Sequence, residues 1–249
     1  MSVCRAWILG GGGVGHQDPQ PVPPELDWDF WIGPAAFVEY RPNRCHGSFR
    51  WFYNTAGGMA GDWGVHMIDI ALLGMNAWRP VEVSSLGGKI ISGPNDDRDT
   101  PDTQIAIYRF KDPDFVLYWE VHVGNPGLDG GGDHGTEFVG DDAVLRVDRG
   151  GWSVVGKDGK PREKTPSENR VNDHWSNFLD CMRSRKATRS DIESMHYTTT
   201  MCHLANLSYR TGKGIDWDAK TERVTNDRSV MDDQTYRREY RKPWILPRI

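Results

Sequence analysis

The segment from Gly57 to Asp69 places two carboxylates and one imidazole at helical spacing. Asp62 and His66 are four residues apart, so on an α-helix they project from the same face, and Asp69 follows three residues later. A carboxylate raises the basicity of a neighbouring imidazole, and such a pair suits general acid/base catalysis on a hydroxyl or on a carbon next to a carbonyl. The same spacing is also typical of a structural ion pair on a helix, so both interpretations stay open.

Three residues before this segment could bind a substrate. Arg50, Trp51 and Tyr53 combine a cation with two aromatic rings, a composition that suits the rim of a sugar-binding site. Aromatic clusters of this kind also form hydrophobic cores, so the composition does not separate the two roles.

Two further histidines are candidates for substrate or metal binding. His122 lies in an apolar stretch typical of a strand, and His134 lies in the glycine-rich segment Gly130-Gly-Gly-Asp-His-Gly, which we expect to be a flexible loop. If His66, His122 and His134 converge, their imidazoles could bind a divalent metal such as Zn²⁺ or Mn²⁺. No H-x-x-x-H spacing supports this, so the metal site is an open alternative.

Near the amino terminus, Gly10, Gly12 and Gly15 satisfy the G-x-G-x-x-G pattern of dinucleotide-binding turns. Such a turn must start a helix whose amide groups face the pyrophosphate, and four prolines between residues 19 and 24 exclude that helix. We therefore expect no NAD(P) site, and a mobile glycine loop leaving an edge strand over Val3–Leu9.

The rest of the chain predicts strands followed by helices. Six short β-branched or aromatic runs between residues 81 and 155 are bounded by Gly, Pro or Asp, as antiparallel strands are. Helical spacing covers 59–74, 172–185 and 191–211. These patterns predict an α+β fold, a single domain over residues 1–249, with helices packed on one face of a large, mostly antiparallel open sheet. We expect a second copy to cover the other face, which makes the protein a homo-oligomer.

Composition excludes several classes of partner. The net charge is -5, from 30 basic and 35 acidic residues without a long basic run, so neither nucleic acid nor an anionic membrane is an expected partner. No apolar stretch is long enough to cross a bilayer, and the first residues do not resemble an export signal. The four cysteines lack C-x-x-C spacing. These features predict a cytoplasmic protein with reduced thiols.

Eight segments together resemble one known domain, the bacterial-type C-terminal domain of the Gfo/Idh/MocA oxidoreductase family, in family order and over almost the whole chain. They are Asp27-Trp-Asp-Phe-Trp-Ile-Gly-Pro, Phe49-Arg-Trp-Phe-Tyr, Gly57-Gly-Met-Ala-Gly-Asp-Trp-Gly-Val-His, Trp119-Glu, Phe138-Val-Gly-Asp, His174-Trp-Ser-Asn-Phe-Leu-Asp-Cys-Met-Arg-Ser-Arg, Cys202-His-Leu-Ala-Asn-Leu-Ser-Tyr-Arg-Thr-Gly and Tyr240-Arg-Lys-Pro-Trp. The nucleotide-binding domain that normally precedes this domain has no counterpart in these residues.

The resemblance implies that Asp62 and His66 lie against a sugar as the acid/base pair. The family's lysine, in an E-K-P segment of the nucleotide domain, has no match here, which argues against stand-alone hydride transfer. Three functions follow as expectations. The first is cofactor-independent acid/base chemistry on a sugar or keto-sugar, by elimination, hydration, epimerisation or glycoside cleavage. The second is the substrate-binding half of a split NAD(P)-dependent oxidoreductase with a Rossmann-domain partner. The third is a non-catalytic carbohydrate-binding or assembly module.

Overall fold

A computed structural model of the chain describes residues 1–122, 132–168 and 170–246. Its strands form one sheet in the order β10-β9-β2-β3-β4-β1-β5-β6-β7-β8. Every neighbouring pair of strands is antiparallel except β1 and β4, which run parallel. The strands are β1 (Val3–Leu9), β2 (Glu82–Gly88), β3 (Thr103–Lys111), β4 (Asp114–His122), β5 (His134–Val139), β6 (Ala143–Asp148), β7 (Gly151–Gly156), β8 (Pro161–Pro166), β9 (Ile215–Asp218) and β10 (Arg223–Val224).

The α-helices are α1 (Trp28–Ile32), α2 (Val65–Met75), α3 (Val171–Ser184) and α4 (Ile192–Thr211). Alternate residues of β3 are buried, as expected for a strand with helices on one face only. The core that these residues share with α2 and α4 includes Tyr108, Leu72 and Met201. The predicted α+β fold, an open and mostly antiparallel sheet with helices on one face, is confirmed.

Helix α4 is defined by its ends. The Asp191 carboxylate caps it by accepting hydrogen bonds from the backbone N–H groups of Glu193 and Ser194, and the helix stops at Gly212, whose φ is 66°.

Helix α3 has the predicted length but does not lie on the sheet as expected, because α2 and α4 occupy that face. Its apolar side chains Trp175, Phe178, Leu179 and Met182 are 46–61% exposed.

Two predictions about the sheet are wrong. Strand β1 is not an edge strand, since it pairs with β4 on one side and with β5 on the other. The charged, proline-containing sequence of residues 157–170 predicts a loop, but this segment contains β8, which pairs with β7 at the edge of the sheet. Its side chains are all exposed and it has proline at both ends, which are typical features of an edge strand.

Helical backbone begins at Gly58, close to the predicted start at residue 59, but residues Ala60–Gly64 form a π-helical turn in front of α2. The wider turn shifts the phase of the helix. Leu73, expected in the buried stripe, is 64% exposed, whereas Ile68 and Leu72 are fully buried. No helix in the described part of the chain is long and apolar enough to cross a membrane.

Candidate functional site

The π-helical turn carries Asp62 and depends on the two glycines before it. The backbone carbonyl of Gly57 accepts a hydrogen bond of 2.8 Å from the buried amide of Asn206. Gly58 has φ +63°, and a side chain there would lie 2.7 Å from Cβ of Thr100. Contacts with Asn206 on α4 and with Thr100 therefore fix the position of the backbone at the start of this turn. Single π-helical turns inside helices occur frequently at functional sites.

Arg50 is the partner of Asp62. Its Nε donates a hydrogen bond of 3.0 Å to Asp62 Oδ1, and its Nη1 donates to the carbonyl of Gly47 at 2.9 Å. The two side chains are 40% and 29% exposed, so the pair lies at the surface. The sequence predicts Arg50 as part of a sugar-binding rim with the aromatic residues beside it. It does not predict this pairing, because the two residues are twelve positions apart.

Within the described residues, no hydrogen bond joins Asp62 to His66, so the expected carboxylate that orients the imidazole is not seen. The guanidinium of Arg50, which is charged at every physiological pH, is bound to this carboxylate instead. His66 is exposed, and its ring centroid lies 5.9 Å from that of Trp63. Asp62 in the π-helical turn and His66 in α2 thus have different partners, Arg50 and Trp63.

Trp63 joins His66 to His134. The ring of His134 lies 5.2 Å from the ring of Trp63, and the guanidinium of Arg149 lies 4.5 Å above the same indole. His134 is the first residue of β5 rather than part of a loop, and its Nδ1 is 2.7 Å from Asp133 Oδ1. Its Nε2 is buried without a hydrogen-bond partner. A ligand hydroxyl could supply that partner. We call Trp63, His66, His134 and Arg149 the Trp63 cluster.

His122 does not join this cluster. It lies opposite Leu9 of β1, whereas His134 lies opposite Ile8, and successive strand residues point to opposite faces of a sheet. Ile8 is in the core beneath the helices, so His122 lies on the open face. The three histidines considered as metal ligands are therefore not brought together. No group of three His, Cys, Asp or Glu within residues 1–122, 132–168 and 170–246 could hold a metal ion.

Asp69 lies at the contact between α2 and α4. Its Oδ1 accepts a hydrogen bond of 2.8 Å from the hydroxyl of Thr198. Burial raises the pKa of Asp69, while the Thr198 hydrogen bond and the charge of His66 act in the opposite direction. Asp69 therefore interacts electrostatically with His66, although its carboxylate lies at the contact between α2 and α4.

The two aromatic residues expected on a sugar-binding rim are packed inward. Tyr53 is only 3% exposed, its ring lies 4.6 Å beneath the guanidinium of Arg210, and burial raises the pKa of its hydroxyl. Trp51 is half-buried beneath Arg98, whose guanidinium is 4.8 Å from the indole. Of the three predicted rim residues, the structure brings Arg50 to Asp62 and places the aromatic pair in the interior.

The glycine run is held by hydrogen bonds to Arg98 and Asp96. Arg98 Nη1 donates to the carbonyls of Gly11 and Gly12 at 2.7 and 3.1 Å. The N–H of Gly15, which would face a phosphate, donates instead to the Asp96 carboxylate at 2.7 Å. No helix begins between residues 10 and 23. A fixed carboxylate in place of a helix amino terminus would repel a pyrophosphate.

Together the fold and the site describe an α+β domain with a surface-exposed cluster of acid/base groups. Its sequence over residues 4–112 matches the model of the Gfo/Idh/MocA oxidoreductase family's C-terminal alpha/beta domain. The predicted resemblance to this domain of the Gfo/Idh/MocA family is therefore confirmed. No curated protein matches the sequence.

Solved oxidoreductases share the fold at low sequence identity. The WlbA dehydrogenase from Bordetella pertussis, in complex with NADH and UDP-GlcNAcA, is 13% identical with a TM-score of 0.53, over 87% of this chain and 54% of that chain. An aldose-aldose oxidoreductase from Caulobacter crescentus, complexed with glycerol, is 12% identical with a TM-score of 0.56, over 86% and 55%. Levoglucosan dehydrogenase, in complex with NADH and levoglucosan, is 14% identical with a TM-score of 0.56, over 86% and 58%. The chain thus spans about half the length of these structures.

Proposed function

We propose that this chain binds a sugar or keto-sugar at the surface formed by Asp62 and the Trp63 cluster, and that His66 transfers a proton there without a nicotinamide. The observation that supports this most directly is the hydrogen-bonded Arg50–Asp62 pair, which lies four residues before the exposed imidazole of His66. The solved relatives described with a nucleotide sugar and with levoglucosan make a carbohydrate the expected ligand class.

The chemistry would start at a carbon next to a carbonyl. His66 takes a proton from that carbon, and the electron pair of the broken C–H bond moves into an enolate. The nearby Asp62 carboxylate stabilises the imidazolium that forms. We propose that Arg149, whose guanidinium lies over the ring of Trp63 beside His134, stabilises the developing enolate oxygen. In an elimination, the enolate electrons form a C=C bond, the bond between the β-carbon and its oxygen breaks, and that oxygen leaves with the proton from the imidazolium. In an epimerisation, water protonates the enolate carbon on the face opposite His66, and the imidazolium releases its proton to solvent.

A second candidate is the substrate-binding half of an NAD(P)-dependent sugar oxidoreductase whose nucleotide-binding domain lies elsewhere. It is favoured by the exposure of His66, since catalytic sites are normally closed from water, and by relatives about twice as long as this chain. In that case the same imidazole would move the hydroxyl proton while a partner supplies the nicotinamide.

Exchange of a carbon-bound proton distinguishes the two candidate functions. In the experiment, the protein is incubated in D₂O with a panel of keto-sugars and no nucleotide, and NMR follows deuterium uptake. If the first function is correct, at least one keto-sugar should take up deuterium at the carbon next to its carbonyl. Exchange that appears only after a Rossmann-domain protein and NADH are added would favour the second.

NADH and NADPH are expected not to bind to the purified chain, because Arg98 and Asp96 already occupy the polar groups of the glycine run. Isothermal titration calorimetry measures this directly, and a full-length dehydrogenase of the family serves as the positive control. Micromolar affinity for either nucleotide would contradict the assignment.

The open face of the sheet is proposed as the surface of a homo-oligomer. Leu86, Ile105 and Ile107 are 80%, 48% and 50% exposed there, and Leu86 lies opposite Ile105 in the register of β2 and β3. An apolar patch of this kind is typical of a contact surface. The neighbouring part of the same face carries ion pairs of Arg5 with Glu120 and Glu137.

Placing charges on this patch should separate the subunits. We expect the wild-type protein to be oligomeric and the double substitution Leu86→Asp and Ile107→Asp to be monomeric, since both carboxylates would have to be buried unpaired in the interface. Light scattering after size-exclusion chromatography measures the mass. Ile192→Asp, at a residue 86% exposed on α4, is the matched control and should keep the wild-type mass. A monomeric wild-type protein would disprove the proposal.

A further inference from the structure

A cavity of about 490 Å³ lies between α1, the 49–55 segment and the C-terminal segment. Six side chains define its chemistry, namely Trp31, Phe49, Asn54, Arg238, Glu239 and Tyr240. We call it the α1 cavity. Its volume falls within the range of about 300–1,000 Å³ that is typical of small-molecule sites.

The walls of the α1 cavity are held in place before any ligand binds. Trp31 stacks on Trp28 with ring centroids 4.8 Å apart, and Trp28 is itself buried with its indole N–H donating to the carbonyl of Val38 at 2.8 Å. Arg241 pins the C-terminal segment to α1 through the carboxylate of Asp29 at 2.6 Å and the carbonyl of Gly33 at 2.9 Å. A rigid cavity loses little entropy when it binds a ligand.

The composition of the walls suits a sugar ring. The aromatic rings of Trp31, Phe49 and Tyr240 offer apolar surface for the C–H face of a pyranose, and Tyr240 is 45% exposed. Within the part of the chain that the structure describes, no hydrogen bond or ion pair uses the side chain of Glu239 or the hydroxyl of Tyr240. These groups are available to the hydroxyls of a ligand.

The α1 cavity adjoins the acid/base groups. Phe49, in its wall, lies 5.0 Å from the guanidinium of Arg50, and Arg50 donates to Asp62 at 3.0 Å. Arg238, in another wall, donates to the carbonyl of Ala56 at 3.2 Å, immediately before the glycines that start the π-helical turn. One side chain thus separates the cavity from Asp62.

We propose that the α1 cavity binds the second ring of a glycoside whose first ring lies at Asp62 and His66. The substrate class is then a disaccharide or a larger glycoside rather than a free monosaccharide. This inference rests on the proposed function, because it takes the surface of Asp62 and His66 as the place of the first ring.

The proposal is tested by measuring binding of the full chain to an array that carries disaccharides beside their constituent monosaccharides. At least one disaccharide should bind the wild-type protein more tightly than both of its constituents. The Tyr240→Ala variant should lose about tenfold of that disaccharide's affinity, the loss expected for one aromatic contact, and leave monosaccharide binding unchanged. Tyr240→Phe keeps the ring and should retain most of the preference.

Trp175→Ala removes another exposed aromatic side chain, outside the cavity, and is the matched control. The proposal is overturned if no disaccharide is preferred over its constituents, or if Tyr240→Ala leaves the preference intact. Proton transfer is tested separately, by deuterium uptake into monosaccharide-sized keto-sugars. If that uptake depends on His66 while Tyr240→Ala has no effect on disaccharides, the cavity assignment fails alone. If disaccharide binding depends on Tyr240 while His66→Ala has no effect on uptake, only the proton-transfer assignment fails.

Discussion

The His66→Ala variant is expected to exchange the carbon-bound proton of its keto-sugar about 10²- to 10⁴-fold more slowly than the wild-type protein, the usual contribution of a positioned acid/base group. The imidazole is exposed and its described ring contact is with Trp63, so the fold should survive its removal. Deuterium uptake by NMR measures the rate, and circular dichroism checks that the variant is folded. An unchanged rate in a folded variant would show that His66 is not the base.

Two further variants make this result specific. Asp62→Asn keeps the shape of the side chain but removes the charge that stabilises the imidazolium, so we expect a smaller loss of rate than for His66→Ala. His196, on α4, is also an exposed histidine. Its Nε2 lies 2.5 Å from Oε1 of Glu222. His196→Ala removes an exposed histidine outside the Trp63 cluster and should leave the rate unchanged.

Local patterns predicted most of the sheet and its helices. Strands β2 to β7 have alternating or β-branched sequences bounded by turn residues, and α4 has a capping carboxylate and a terminal glycine. Both signals lie within a few residues of the element they define. The resemblance to the family also depends on local sequence, because it rests on short segments that keep their order along the chain.

The features that sequence analysis missed depend on contacts between distant residues. Strand β1 is an interior strand because β5, about 130 residues later, pairs with it. The phase of α2 depends on the π-helical turn that packs against Asn206. Periodicity also could not show that His122 and His134 face opposite sides of the sheet, because this depends on their register with β1.

The Arg98→Met variant is expected to be less stable than the wild-type protein by about 3–5 kcal/mol, because each buried carbonyl that loses its donor costs about 1–3 kcal/mol. Arg98 is 1% exposed. Besides the two glycine carbonyls, it donates to the carbonyls of Thr100 and Pro101, both at 2.9 Å. A methionine would fill a similar volume but leave these acceptors buried and unsatisfied.

Urea unfolding followed by tryptophan fluorescence measures this loss as a lower free energy of unfolding. Arg223→Met, at an exposed arginine on β10, is the matched control and should change stability by less than about 0.5 kcal/mol. A loss below about 1 kcal/mol for Arg98→Met would mean that other contacts satisfy these carbonyls.

The same variant also tests how the glycine run is held. Arg98 links Gly11 and Gly12 to the segment before β3, so its removal should release the run while β1 stays paired on both sides. Hydrogen exchange should therefore accelerate in residues 10–15 more than in β1. Equal acceleration in both would mean that the run and the strand open as one unit. The glycine run would then be part of the sheet's cooperative core rather than a loop fastened to it by one arginine.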